Sequence, residues 1–159
     1  MTMYTPVNTY NTVKVKKYSD VIEEYMAYAA ITPGNFVEIY STSGYVRKHS
    51  TEGGNLLPMI ALEDELQGKG IDEDYAAGDM VQCWIPYRGD QAYVLLEDGE
   101  SVVIGDWLMP NGAGRLQKLD AETLSAAEAL SVVAQALEAL DLSGSSGTET
   151  TQRLLVRIV

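Results

Sequence analysis

At 159 residues and 46 % apolar content, the chain is long enough for one compact domain, or one domain with an arm, and too apolar for wholesale disorder. Eleven Lys and Arg stand against 23 Asp and Glu, a formal net charge of −12, which sets the chain against DNA and anionic membranes and leaves proteins or neutral ligands as expected partners. Cys83 is the single cysteine, which excludes an internal disulfide and suits assembly in a reducing cytoplasm.

Residues 1–17 are rich in Thr, Tyr and Asn and carry Lys14, Lys16 and Lys17, with no acid before Asp20. They hold no apolar run of the signal-peptide kind, and no window approaches the roughly 18 apolar residues of a transmembrane helix, so neither is expected. The segment reads as an arm, residues 1–19, ahead of a domain spanning residues 20–159. Within it Val13 and Val15 alternate with Thr12, Lys14 and Lys16, the pattern of a strand with one apolar face.

Residues 20–30 are ambiguous. Asp20 and Glu23 resemble a capping box, and Val21, Tyr25, Met26 and Ala29 fall near helical spacing, so a short helix is one reading. Pro33-Gly34 then interrupts regular structure. From there the text is that of a β protein. Residues 36–41 and 45–48 are strand-like runs joined by Ser43-Gly44. Val81, Cys83 and Ile85 alternate with Gln82 and Trp84. Residues 93–96 and 101–104 flank Glu97-Asp98-Gly99, an Asp-Gly hairpin signal, and residues 115–119 follow the turn Pro110-Asn111-Gly112. Residues 153–159 close the chain as a further strand.

Two stretches resist that reading. Residues 61–79 hold Glu63, Asp64, Glu65, Asp72, Glu73, Asp74 and Asp79 against Lys69, and read as a solvated loop. Residues 120–140 fit a helix face through Leu130, Val133, Ala134, Leu137 and Leu140, and a strand face through Val132, Ala134 and Ala136; propensity favours the helix. Residues 141–152 cluster Ser and Gly and read as a flexible connection.

The chemistry on offer is thin. His49 is the only histidine, and followed by Ser50, Thr51 and Glu52 it reads as a surface loop residue; a triad requires that it meet Ser and Asp, or Cys83, in space. Ile71-Asp72-Glu73-Asp74 lacks EF-hand spacing. Gly112-Ala113-Gly114 precedes a strand instead of opening a helix, so it is a turn, and Arg88-Gly89-Asp90 is explained as a turn between strands. The ten tyrosines are scattered and form no tight platform. No enzyme, cofactor or metal is expected.

A sequence of phrases carries more. Ile31-Thr32-Pro33-Gly34 with Val37-Glu38 and Ser43-Gly44-Tyr45-Val46 is followed by Ala61-Leu62-Glu63. Then come residues 68–75, Gly78-Asp79-Met80-Val81, Ile104-Gly105-Asp106-Trp107-Leu108, Ala136-Leu137-Glu138-Ala139 and Leu155-Val156-Arg157-Ile158. In that order they resemble the capsid decoration (cement) proteins of tailed bacteriophages. The resemblance implies a mainly β fold, a small β-barrel or β-tulip-like domain with an extended N-terminal arm and at most short helices, in which residues 132–139 are strand. It also implies a structural virion protein, made in the bacterial host cytoplasm and bound to the outer surface of the head. There it would stabilise the lattice of its partner, the major capsid protein, as a homotrimer. The alternative is a non-catalytic binding module, a head-fibre base or a carbohydrate-binding domain. For capsid attachment Val13, Lys14, Val15, Lys16 and Lys17 are the candidate binding residues, the lysines offering cations that the acidic domain lacks and the valines the apolar face of the strand.

Overall fold

The computed structural model describes residues 10–120, 122–123, 125–145 and 152–159. The fold is mainly β, as expected, and its main sheet has six antiparallel strands. Along that sheet lie β1 (Lys14–Lys16), β7 (Gln91–Leu95), β13 (Arg153–Ile158), β11 (Ala134–Ala136), β9 (Trp107–Pro110) and β10 (Leu116–Lys118). The sheet curls, and Leu96, just past β7, makes a single parallel bridge to Leu116, but the strands do not close into a barrel. A three-stranded sheet is formed by β2 (Ile22–Met26), β6 (Met80–Trp84) and β5 (Ile60–Ala61). Two pairs complete the fold: β3 (Val37–Ile39) with β4 (Val46–Lys48), and β8 (Ser101–Val102) with β12 (Leu140–Asp141). The helix α1 (Ala126–Leu130) is a single capped turn.

Strand alternation places the three-stranded sheet between two apolar cores. Trp84 and Ile60 point into the larger core, with Phe36, Val94, Leu108, Leu116, Leu154 and Val156; Val81, Cys83 and Ala61 point the other way, into a smaller core with Ile31, Val37, Val46 and Tyr75. Truncation of a fully buried aromatic such as Trp84 or Phe36 removes about 3–5 kcal/mol.

The glycine phrases are turns of one construction. In Thr32-Pro33-Gly34-Asn35, Ala76-Ala77-Gly78-Asp79, Tyr87-Arg88-Gly89-Asp90 and Val103-Ile104-Gly105-Asp106, the fourth residue's N–H donates to the first residue's carbonyl. The fourth side chain then accepts from the first residue's N–H at 2.8–2.9 Å. Glycine takes the third place with φ between 88° and 98°, as a type II turn requires. Gly34 adds a second constraint, because a Cβ there would lie 3.3 Å from Arg153 Nε and 3.4 Å from the Tyr93 carbonyl oxygen.

Several expectations change. Residues 22–26 form a strand paired along its length with β6, not a helix; a two-residue cap signal is weak beside a five-residue ladder that shields β6. The turn at Glu97-Asp98-Gly99 forms, but it does not join a hairpin: β7 pairs with β1 and β13, whereas β8 pairs with β12. Residues 120–140 split. Ser125 and Glu128 form a reciprocal capping box that starts α1, and Ala134–Ala136 is a strand bonded on both sides, to β9 and β13. Burial of Ala134 and Ala136 in the larger core outweighs local propensity there. The acidic stretch is not uniformly solvated, since Glu63 and Asp64 are 6 % and 5 % exposed. Asp64 caps a 3-10 turn at Glu65–Gln67, and Glu63 accepts from Thr12 Oγ1 and, at 3.0 Å, from the Val13 N–H. The connection read at residues 141–152 lies partly outside the described residues, as do residues 1–9 of the arm.

The described part of the arm belongs to the domain. Val13 is fully buried in the larger core, Lys14 and Lys16 pair with Ala92 and Gln91 across β1 and β7, and a register shift separates the two pairs. Burying one valine contributes about 1.5–3 kcal/mol. Removal of residues 1–18 exposes that core position and strips the buried Glu63 carboxylate of both donors. A marked fall in the urea midpoint relative to the full chain is expected; an unchanged midpoint would show that the strand is dispensable.

Arg153 ties three distant segments. Its Nε and Nη2 donate to the Pro33 carbonyl at 3.3 and 3.0 Å, Nη2 to the Ile71 carbonyl at 2.5 Å, and Nη1 to Asp72 at 2.6 Å. The arginine side chain is 4 % exposed and the aspartate 68 %. Arg153→Met is expected to cost roughly 3 kcal/mol, because two carbonyls lose a buried donor. Asp72→Asn is expected to cost less than about 1 kcal/mol, as for exposed ion pairs. Equal losses in chemical denaturation would contradict this division.

Candidate functional site

The residues with catalytic potential do not assemble. His49 is 2 % exposed, not a surface loop residue: it follows β4, its N–H donates to the Phe36 carbonyl, and its own carbonyl accepts from Gly114. Its imidazole Nε2 lies 3.7 Å from Glu38 Oε2. Burial alone would raise the Glu38 carboxyl, but the donors Ser50 Oγ and Arg47 Nε, with the charges of His49 and Arg47, hold it below its ordinary value. Cys83 sits elsewhere, with its thiol against the Val81 carbonyl, and no hydrogen bond joins it to His49. Among the described residues, no three His, Cys, Asp or Glu side chains come together as metal ligands.

A different site lies at the β1 edge of the main sheet. An open groove of about 590 Å³ is lined by Lys16, Lys17, Tyr18, Tyr87, Arg88, Gly89, Asp90 and Gln91. Its organiser is Asp90, 4 % exposed: one carboxylate oxygen accepts from the Tyr87 N–H at 2.8 Å, closing the Arg88-Gly89-Asp90 turn, and the other accepts from the Tyr18 N–H at 2.7 Å. The chain leaving β1 is thereby fastened to that turn. Tyr18, 90 % exposed, and Tyr87, 51 % exposed, meet edge to face with ring centres 6.3 Å apart. Exposed aromatic rings beside arginine and lysine are the composition of a protein-contact surface.

The five candidate residues divide accordingly. Val13 is core and Val15 is half-buried. Lys14 is bound to Asp20 at 3.2 Å, and Lys17 pairs with the same carboxylate. The bond from Lys17 lowers the Asp20 carboxyl most; burial opposes it, and the bond from Lys14 with the charges of both lysines keeps the balance below the ordinary value. Lys16 is exposed and opens the outer face of the sheet. Cross-strand partners run from Lys16 to Gln91, Arg157, Gln135 and Trp107, which is 46 % exposed. Lys16, Lys17 and Arg88 thus place three of the chain's eleven cations at the β1 edge, and Arg157 stands two strands in, on β13.

Sequence reading missed Tyr18, Tyr87, Arg88 and the anchoring role of Asp90. The Gly-Asp turn was visible, but its 72-residue reach to Tyr18 was not. Among the described residues no helix is long and apolar enough to cross a membrane.

The architecture is that of a small, open, antiparallel β domain with two cores. No family model matches the chain, and no curated protein matches it. Among solved structures, the chain is similar to the crystal structure of the head fibre gp8.5 N base of bacteriophage phi29. The TM-score is 0.55 at 15 % identity, over 89 % of this chain and 95 % of that one. The fold is therefore shared with a phage virion component along nearly the whole of both chains.

The smaller core makes one chemical expectation. Burial, with the Glu23 charge adding, pushes the Cys83 thiol up to about 12. The thiolate is the reactive species. Iodoacetamide at pH 8 is expected to leave Cys83 unmodified in the folded chain and to alkylate it in urea; mass spectra showing rapid native alkylation would contradict its placement.

Proposed function

We propose that this chain is a structural protein of a tailed-phage virion, a head-attached β domain of the fibre-base kind that binds the major capsid protein on the outer surface of the head. The observation that carries the reading is the shared fold with a head fibre base over 89 % of the chain. It favours the fibre-base form of the function over a lattice cement, although the two share outer attachment to the head. The phrase order that resembles cement proteins supports the same location.

Charge supports the direction of attachment. A body of net charge −12 is repelled by an acidic capsid surface except where cations are gathered, and Lys16, Lys17 and Arg88 gather at the groove beside Tyr18 and Tyr87. Lys14 contributes by holding Asp20, and Val13 and Val15 by fixing the strand on which the cations stand. Charges at a rim govern encounter and register, while the aromatic pair supplies contact area. Association into a homotrimer multiplies such contacts when several copies engage one surface.

The test is co-sedimentation with empty heads of a phage that encodes the chain. Wild-type protein is expected to pellet with the heads, less so at raised salt. The exposed triple variant K16E/K17E/R88E is expected to fold normally and to lose about tenfold or more in affinity, with its salt dependence reduced. Unchanged binding by the variant would remove the groove from the interface. Failure of the wild-type protein to bind heads at all would remove the function.

A further inference from the structure

The strand β2 lies at the edge of its sheet, with β6 as its only ladder partner among the described residues. That ladder fixes which backbone groups are left over. The Val21 carbonyl accepts from the Ile85 N–H, and the Ala27 N–H donates to the Asp79 carbonyl, so the odd-numbered residues between them bond to β6. Ile22, Glu24 and Met26 turn their N–H and carbonyl groups the other way, where among the described residues they have no hydrogen-bond partner. Both edges of the main sheet are blunted by contrast. β1 is three residues long and carries a register shift. On β10 the Lys118 N–H is bonded to the Glu100 carboxylate, and the Leu116 carbonyl takes the Glu97 N–H. β2 runs five residues without a bulge, and a free edge of that kind is a template for a further strand.

The side chains on that edge select what the further strand carries. Ile22 and Met26 are exposed on one face of β2, and the exposed Met80 of β6 lies beside Met26. Glu24 stands between them on the same face, exposed, and among the described residues no cation or hydrogen-bond donor meets it. All the ladders of the fold are antiparallel, and antiparallel addition sets one residue of the incoming strand directly across from each of the three. A lysine or arginine between two apolar residues complements that row. A second copy of β2 does not, because a symmetric pair opposes Glu24 to Glu24, like charge to like. The chain's own cationic edge, β1, is short and bulged, and its Lys14 is already held by Asp20.

We propose that the β2 edge is a second protein-docking site, which receives an extended cationic segment of a partner protein as an added antiparallel strand, with a lysine or arginine against Glu24 and apolar residues against Ile22 and Met26. The site shares no residue with the cationic groove and does not rest on the head-attachment reading.

The probe is the capped peptide acetyl-Thr-Val-Thr-Lys-Thr-Val-Thr-amide, titrated into the full chain at low ionic strength and followed by amide NMR. Saturable shifts of the Ile22, Glu24 and Met26 amide protons are expected, with a Kd of about 1 mM and slowed hydrogen exchange at the same sites. The peptide with glutamate in place of its lysine is expected to bind about fivefold more weakly or worse. Methylation of the peptide's lysine amide nitrogen, which removes a donor aimed at β2, is expected to weaken binding by about tenfold or more. Glu24→Lys, an exposed change that leaves both cores intact, is expected to reverse the preference between the lysine and glutamate peptides. Shifts that do not saturate, equal binding of the two peptides, undiminished binding of the methylated one, or an unchanged preference in the variant would overturn the proposal. Concentration-dependent protection of the same amides without peptide would show that a second copy takes the edge, and would overturn the cationic partner.

Discussion

The Arg153 guanidinium is the point through which the separate parts of this fold are joined. It rises from the last strand, reaches the Pro33 carbonyl on the turn that leads into the smaller core, and holds the Ile71 carbonyl and Asp72 of the acidic loop. These partners lie 81 to 120 residues away along the chain. The glycine that the turn's positive φ requires at position 34 also leaves room for the arginine to pass close to it. Glu63 acts in the same way at the other end of the acidic stretch, where it receives Thr12 and Val13 and so seats the N-terminal strand. A chain with many excess acids uses two members of its most acidic region as ties, Asp72 at the surface and Glu63 inside, where the desolvation of Glu63 is offset by specific donors.

That seating has a consequence for function. Because Val13 is anchored in the core and Asp90 holds Tyr18, the cations of residues 14–17 are presented from a fixed strand and not from a free tail. Preorganised charges lose less side-chain and backbone entropy on binding than charges on a mobile segment. In the proposed attachment, the acidic remainder of the surface repels alternative approaches and so restricts an acidic capsid partner to one orientation. Attraction at the groove and repulsion elsewhere together set specificity.

Elements with short-range causes were legible in the sequence. The Gly-Asp phrases foretold their turns because glycine's positive φ and the side chain's bond to the turn backbone are both local. The strand at Met80–Trp84 follows alternation, those at Val37–Ile39 and Val46–Lys48 flank a Ser-Gly turn, and that at Arg153–Ile158 is rich in β-branched residues, all signals that need no knowledge of neighbours. What was not legible depends on pairing across long separations. The turn at residues 97–99 was readable, but the destination of β8 was not, since its partner Leu140 lies far along the chain. Residues 20–30 carry a helix-like cap that only the presence of β6 overrules. The burial of His49, Glu63 and Arg153 could not be read from residue type, because each polar group is tolerated by a distant neighbour. For the candidate site, Lys14, Lys16 and Lys17 stood out by charge, whereas Tyr18, Tyr87 and Arg88 join them only through the Asp90 clamp.

The most direct measurement is a cryo-electron microscopy map of phage particles that contain this chain, at a resolution sufficient to place its strands. The account predicts density for the β domain on the outer surface of the head, with the β1 edge, Tyr18 and the turn at residues 87–90 against the major capsid protein. A domain absent from the head, or one attached there with that edge turned to solvent, would contradict it.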